Sequence, residues 1–374
     1  SELLGIVTGW YDNAICVSGT HGKTTTTSMI TQILFTAGVD LSAFIGGKLP
    51  CIGGSGRAGK RDIMVCEACE FVDTFLKLYP DVAVILNIDE DHLDYFKNLE
   101  NIIKSFRKFS EMATKALIIN GDDANTLKAV DGITGKEFIT FGLDSKNDYY
   151  AADIKKISGM ETEYTLMYKG KALGKINLHV AGVHNILNSL AAAAASFYAN
   201  VSFESIQKGL SDFRGAGRRF ELIGKEKGIT IVDDYAHHPT ELSVTLKAAM
   251  DMGYNKVWAV FQPFTFSRTA ILLDDFAKAL SIPDNAVLTD IMGSREKNTY
   301  NIYTRNLAEK IDGCIYFPQD ENAEYTDERK YENFGQVCDY ICENANDGDL
   351  VITLGCGDVY KVAKMIYKKL KGQE

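Results

Sequence analysis

Short, uninterrupted apolar runs, each ending on a polar or acidic residue, recur along this chain. Ala14-Ile15-Cys16-Val17, Ile63-Met64-Val65-Cys66, Val82-Ala83-Val84-Ile85-Leu86 and Ala116-Leu117-Ile118-Ile119 are the examples in its first part. Runs of this length without polar alternation predict strands covered on both faces. Between them, segments near 28–35, 71–79 and 99–113 carry apolar residues at helical spacing. Strand–helix alternation of this kind predicts a parallel sheet flanked by helices. Residues 148–182 break the pattern. Tyr164-Thr165-Leu166-Met167-Tyr168 and the stretch 175–180 are alternating or β-rich with Gly turns between, which predicts an antiparallel insert or edge. The glycine-rich stretch 38–60 reads as a surface loop that either approaches a ligand or merely connects, and 1–13 as a helix tail and a turn.

Arg214-Gly215-Ala216-Gly217-Arg218-Arg219, basic and glycine-rich, is the best candidate boundary. After it the alternation resumes, with strands expected at 229–232, 257–261, 286–289 and 350–354 and a helix over 241–251.

At 374 residues the chain has room for two domains, and 46% hydrophobic with 24% charged residues is ordinary for a globular protein. The net charge of -10 argues against nucleic-acid and anionic-membrane partners, which call for a basic surface. The eight cysteines are scattered, as expected of a reduced, cytoplasmic protein. Cys66-x-x-Cys69 has no second pair to complete a zinc site, so burial as small apolar residues is the expectation for most of them. Ser1-Glu2-Leu3-Leu4 does not read as a basic-then-apolar leader, and the longest apolar stretch, 190–199, is too short to span a bilayer.

The chemistry centres on Gly19-Thr20-His21-Gly22-Lys23-Thr24-Thr25, set between the first strand and a helix. Glycines 19 and 22 let backbone N–H groups turn toward anionic oxygens, and the helix N-terminus and Lys23 add positive charge. Thr24 offers a hydroxyl to Mg²⁺. A full Walker A loop would have Gly at position 17, where Val17 stands, so the motif is the shorter Gly-x-x-Gly-Lys-Thr. Ligands of parallel sheets collect at the carboxyl ends of strands. Glu67 and the acidic run Asp89-Glu90-Asp91-His92-Leu93-Asp94 are therefore expected near the loop, with Thr24, Glu67 and His92 as candidate metal ligands. Glu67 and Thr24 suit the oxygen preference of Mg²⁺ better than His92 does. Asn185 and Asn188, one helical turn apart, are placed to bond one planar edge such as adenine, although Asn185 could instead cap its helix. In the second part, Asp233-Asp234-Tyr235-Ala236-His237-His238 follows a strand end, where a substrate would sit. The residues alone describe an ATP-dependent enzyme with its nucleotide site between two α/β domains. The fold class is thus a P-loop-type parallel-sheet ATP-binding domain over 1–214, followed by a smaller Rossmann-like α/β domain over 215–374.

An ordered series of motifs resembles the Mur ligases: residues 19–27, Glu67-Ala68-Cys69-Glu70, Asn87 to Asp94, His184-Asn185-Ile186-Leu187-Asn188, Gly217-Arg218-Arg219-Phe220-Glu221 and Asp233 to Glu241. Phe261-Gln262-Pro263, Ser267-Arg268-Thr269, and Asp290 with Arg295-Glu296-Lys297 extend it over almost the whole chain. The resemblance implies a reaction of peptidoglycan precursor synthesis. The muramate carboxylate of UDP-N-acetylmuramate attacks the γ-phosphate of ATP, and the amine of L-alanine displaces phosphate from the acyl phosphate. It also implies roles. Lys23 and Thr24 hold phosphates and Mg²⁺, Glu67 and His92 bind metal, and Asn185 and Asn188 hold adenine. Arg219 and Asp234 meet the nucleotide from a second domain that binds the amino acid and closes on ATP. His238 and Arg268 face the amino acid.

Phe264 stands where the family usually has His, and Met292-Gly293-Ser294 where Tyr-Ala-Ala is common. The family's N-terminal UDP-binding domain has no counterpart ahead of residue 1, so the chain as given is expected to bind ATP and to be a poor ligase. A ligase that recycles ready-made murein peptides, a folylpolyglutamate synthase and a non-catalytic ATP-binding module are the rival readings.

Overall fold

The computed structural model describes residues 2–91, 93–157, 161–180, 182–294, 296–318 and 332–373. The chain divides into two compact units, residues 1–217 and 218–374, each built on its own sheet.

The first unit contains β1 (Ala14–Ser18), β2 (Ser42–Leu49), β3 (Gly54–Arg57), β4 (Met64–Glu67), β5 (Val82–Ile85), β6 (Ala116–Asn120), β7 (Glu137–Gly142), β8 (Tyr149–Lys156), β9 (Thr162–Tyr168) and β10 (Lys171–Leu178). Their order across the sheet is β10-β9-β8-β7-β6-β5-β1-β4-β2-β3. Neighbours from β8 across to β2 run parallel, while β3 at one edge and β9–β10 at the other are antiparallel. The antiparallel segment predicted over 148–182 is this β8–β9–β10 meander. The glycine-rich stretch 38–60 is a correction: it holds β2 and β3 rather than a plain loop. Ser42, Ala43 and Phe44 pair with Met64, Val65 and Cys66, so it is the sheet's backbone ladder that makes this a strand, against the weak β propensity of glycine.

Buried parallel strands alternate between two cores, and β1 shows it. Ile15 and Val17 enter one cluster with Met29, Ile30, Ile33 and Leu34 of α2 (Lys23–Thr36). Cys16 faces the other, which holds Phe106 and Phe109 of α4 (Leu99–Met112). Short helices α1 (Glu2–Thr8), α3 (Leu93–Phe96) and α5 (Ala124–Val130) complete that half of the chain. The first cluster is closed by α6 (Val183–Tyr198) and α7 (Phe203–Asp212). Residue 209 has to be small. A Cβ on Gly209 of α7 would stand 2.6 Å from the Cα of Ile33, so α7 crosses α2 almost backbone to backbone.

The second unit holds β11 (Glu221–Glu226), β12 (Ile229–Asp234), β13 (Val257–Phe261), β14 (Asn285–Thr289), β15 (Ile315–Phe317) and β16 (Leu350–Leu354), in the order β11-β12-β16-β13-β14-β15. Only β11 is antiparallel among the described residues. Helices α8 (Pro239–Met250), α9 (Phe266–Ile271), α10 (Leu273–Leu280), α11 (Thr304–Ala308), α12 (Glu332–Asn344) and α13 (Tyr360–Leu370) accompany it. Alternation again splits the core. Leu350, Ile352 and Leu354 pack with Leu242 and Phe276, and Val351 with Val337, Val362 and Ile366. No helix among the described residues is long and apolar enough to cross a membrane. Cys16, Cys66 and Cys338 are buried, whereas Cys69 is exposed, and no disulfide is present among the described cysteines.

Candidate active site

The loop between β1 and α2 is shaped by two glycines. Gly19 has φ +145° and Gly22 φ +87°, and a Cβ on Gly22 would meet Asn188 Oδ1 at 2.4 Å. A side chain at position 22 is thus excluded both by conformation and by space. The residues after β5 clamp the loop from one side. Asn87 Oδ1 accepts from the His21 N–H at 2.8 Å, and Asn87 Nδ2 donates to His21 O at 3.0 Å. Thr20 N–H donates to Asn87 O at 3.0 Å, and the Asp89 N–H donates to Thr20 Oγ1 at 2.9 Å. The loop motif and the start of the Asn87–Asp94 motif, Asn87 to Asp89, are therefore one structure, with β1 paired directly to β5.

Lys23 opens α2 and turns back over the loop. Its ammonium donates to Gly19 O at 2.6 Å, to Thr20 O at 3.1 Å and to Glu70 Oε1 at 3.0 Å. Burial alone would lower its pKa, but Glu70, with Cys69 and Glu67 adding to it, holds the ammonium above its ordinary value. Glu70 belongs to the Glu67–Glu70 motif, but its residue type alone gives no sign that it holds Lys23. Thr25, the next residue but one along α2, lies in its first turn.

Glu67 ends β4, next to β1. Its Oε1 accepts from Thr24 Oγ1 at 3.0 Å and its Oε2 from the Gly46 N–H at 2.8 Å. A Cβ on Gly46 would come within 2.7 Å of both carboxylate oxygens, so the glycine of β2 leaves the space that this carboxylate fills. A hydroxyl and a carboxylate brought together as all-oxygen donors at the loop fit Mg²⁺, which takes few protein ligands and keeps several waters. Among the described residues no group of three or more His, Cys, Asp or Glu converges in a way that would make a closed metal cage. His92, the remaining candidate ligand, lies outside the described residues.

Asn185 and Asn188 are both buried on α6. Asn188 Nδ2 donates to Asn185 Oδ1 at 3.1 Å, and Asn188 Oδ1 accepts from Thr26 Oγ1 at 3.2 Å. Asn185 does not cap the helix: the N-cap is Gly182, and the Asn185 N–H bonds back to its carbonyl. The pair sits against the loop itself.

In the second unit the motifs gather at the carboxyl ends of β12, β13 and β16. Arg218 Nε donates to Asp233 Oδ2 at 2.9 Å, its other nitrogens reach the carbonyls of Gly355 and Cys356, and its guanidinium lies between the rings of Tyr235 and Tyr360. Thus occupied, Arg218 braces the strand ends, whereas Arg219 lies over Tyr235 at 5.2 Å and beside Asp234. Gln262, after β13, accepts from the Asp358 N–H at 3.1 Å, joining the 261–263 motif to the loop after β16. His238 Nδ1 accepts from the Thr240 N–H at 3.4 Å and is the N-cap of α8. Arg268 lies in α9, whose first turn is held by Glu296, which accepts from Ser267 N–H at 2.9 Å and Ser267 Oγ at 2.6 Å. Arg295 lies outside the described residues.

Asp234 carries a testable electrostatic signature. Burial raises its carboxyl pKa to about 6, against the lowering influence of Arg219 and of N–H donors from Ala236 and Phe220. The folded state therefore favours the protonated form. Its contribution to stability is complete below the ordinary carboxylate range and is lost as pH rises through about 6. From pH 4 to pH 7 the protein should lose about 2 kcal/mol relative to Asp234→Asn, which carries no such proton. Urea denaturation of both at the two pH values measures this, and a pH-independent difference would place the carboxyl at its ordinary value.

Comparison with known proteins matches residues 17–196 to the Mur ligase middle domain and residues 218–357 to the Mur ligase, glutamate ligase domain. UDP-N-acetylmuramate--L-alanine ligase of Acetivibrio thermocellus is 44% identical over 375 residues, covering 98% of this chain and 77% of that protein. The enzyme of the same name from Caldanaerobacter subterraneus is 40% identical over 373 residues, covering 99% of this chain and 79% of that protein. The crystal structure of UDP-N-acetylmuramate-alanine ligase MurC from Thermotoga maritima superposes with a TM-score of 0.78 at 23% identity, over 99% of this chain and 78% of that one. That last likeness speaks for the fold. The sequence identities, which extend over nearly the whole chain and more than three quarters of each relative, go well beyond a shared fold, and the chain belongs to the Mur ligase family.

Proposed function

We propose that this chain is an ATP-dependent ligase that joins L-alanine to the carboxylate of UDP-N-acetylmuramate. Two relatives at 40% and 44% identity bear that name, and the observation that carries the reading in the structure is the Gly19–Thr24 loop with Lys23, Thr24 and Glu67 brought together at its rim. The names of these relatives favour this reading over the recycling and non-catalytic ones.

The chemistry follows from the donors present. The loop's N–H groups and Lys23 grip the phosphates, and the N-terminus of α2 adds its partial charge. Thr24 and Glu67 would hold Mg²⁺, which when bound offsets charge on the β- and γ-phosphates. A muramate carboxylate oxygen bonds to the γ-phosphorus and the bond to ADP breaks. The alanine ammonium loses one proton to solvent, its nitrogen bonds to the acyl carbon, phosphate leaves with the carboxylate oxygen, and a second proton passes to phosphate or solvent, leaving the amide N–H. These are steps of positioning and charge stabilisation, which a rigid loop and a fixed lysine supply. Asn185 and Asn188 are assigned to adenine. In the second unit Arg219 and Asp234 are assigned to the nucleotide, and His238 and Arg268 to the amino acid, with Arg268 suited to its carboxylate.

The test is isotopic. UDP-N-acetylmuramate labelled with ¹⁸O in its lactyl carboxylate is incubated with the chain, Mg-ATP and L-alanine. One ¹⁸O is expected in the released phosphate, whatever the rate, and only when all three substrates are present. Unlabelled phosphate released alongside the amide would exclude the acyl-phosphate route.

A further inference from the structure

We propose that Glu70 competes with the nucleotide's phosphates for Lys23 and so sets how tightly the loop holds ATP; this rests on the nucleotide reading above. Lys23 has three N–H groups, and in this structure each has an acceptor within the chain: Gly19 O, Thr20 O and the Glu70 carboxylate. A phosphate oxygen that takes an N–H from Lys23 must displace one of them. Two are neutral carbonyls. The third is a full charge, with Glu70 Oε2 2.9 Å from Nζ.

The two acidic groups near Lys23 are not equivalent. Glu67 has donors of its own, Thr24 Oγ1 and the Gly46 N–H. Among the described residues, Lys23 alone donates to the Glu70 carboxylate. That carboxylate is 2% exposed, so water offers it little compensation. The backbone that carries it is also held. Glu70 O accepts from the Asp73 N–H at 2.9 Å, and the preceding Cys69 O accepts from the Phe75 N–H at 2.9 Å and from Thr74 Oγ1 at 2.8 Å. Whether the phosphates share Lys23 with Glu70 or take it over, they do so beside a buried negative charge that remains in place. Charge pairs in such surroundings are weakly screened, so that charge weakens anion binding. Glu70 is thus a positioning residue acting through Lys23: it holds the ammonium over the loop and limits the affinity of anything that replaces it.

Mg-ATP and Mg-ADP binding would be measured by titration calorimetry at fixed ionic strength on the unaltered chain, Glu70→Gln and Glu70→Asp. Glu70→Gln keeps the shape and one acceptor for Lys23 while removing the charge, and it should tighten both nucleotides about tenfold. Glu70→Asp withdraws the charge from Nζ by one methylene and should tighten them less. A residue needed only for structure would, when replaced, loosen binding or leave it alone. Binding by the unaltered chain with no tightening in either variant overturns the inference and leaves the nucleotide reading standing. If Glu70→Gln does not fold, the Glu70→Asp titration decides alone, by the same sign. No binding by the unaltered chain overturns both.

Discussion

Lys23→Ala is expected to weaken Mg-ATP binding by at least about a hundredfold and to lower the unfolding free energy by about 3–5 kcal/mol. The two losses have different origins. Affinity falls because the ammonium that donates to the loop's own carbonyls is gone, leaving backbone dipoles to hold a highly charged triphosphate. Stability falls because Glu70, 2% exposed, is left as an unpaired buried charge. The double variant Lys23→Met with Glu70→Gln separates them. Removing both charges should restore most of the stability and little of the Mg-ATP affinity. Urea denaturation and calorimetry on the three proteins supply the measurements. If Lys23→Ala unfolds at the same urea concentration as the unaltered chain, the buried pair is not contributing as its geometry indicates.

Gly209→Ala is the second large effect, and here two contributions oppose each other. Alanine favours the interior of α7 over glycine by about 1 kcal/mol. The added methyl, however, would lie 2.6 Å from the Cα of Ile33, a backbone atom that cannot rotate away. Forcing the helices apart costs about 1–3 kcal/mol or more in a packed core, so the steric cost should win and the variant should be destabilised by about 2 kcal/mol. Because Ile33 belongs to the helix that Lys23 begins, Mg-ATP affinity should drop as well. A variant more stable than the unaltered chain would mean that α7 stands farther from α2.

The parts of the fold that could be read in the sequence are those whose burial leaves a mark on composition. β1, β4, β5 and β6 are packed on both faces, so each is an unbroken apolar run. β2 and β3 were not legible. Their residues include Gly46, Gly47, Gly54 and Gly56, and their pairing comes from the sheet edge rather than from side chains. β7, β11 and β15 carry partly exposed residues and gave no apolar run. The helical segment predicted near 71–79 is a 3₁₀ stretch, Phe71–Lys77, in which Val72 and Asp73 have φ of 52° and 54°. Side-chain spacing carries no sign of a left-handed backbone. At the site, the candidate residues stand out in the sequence because glycine, lysine and strand-end acids point to phosphate chemistry by type. Their partners do not. Asn87 clamps His21, and Glu70 holds Lys23, through contacts 66 and 47 residues apart in the chain, and such pairings exist only once the sheet order is known.

That same dispersion bears on how the protein comes into being. Thr26 and the Asn188 that supports it are separated by 162 residues, so the phosphate loop is synthesised well before its floor. At ribosomal rates of about 5–20 residues per second, the loop waits roughly 10–30 s for that floor. During this interval the nascent chain holds its most conspicuous motif without the asparagine that closes it from α6. Nucleotide cannot serve as an early template for folding here; it can only reward a first unit that has been translated through α6.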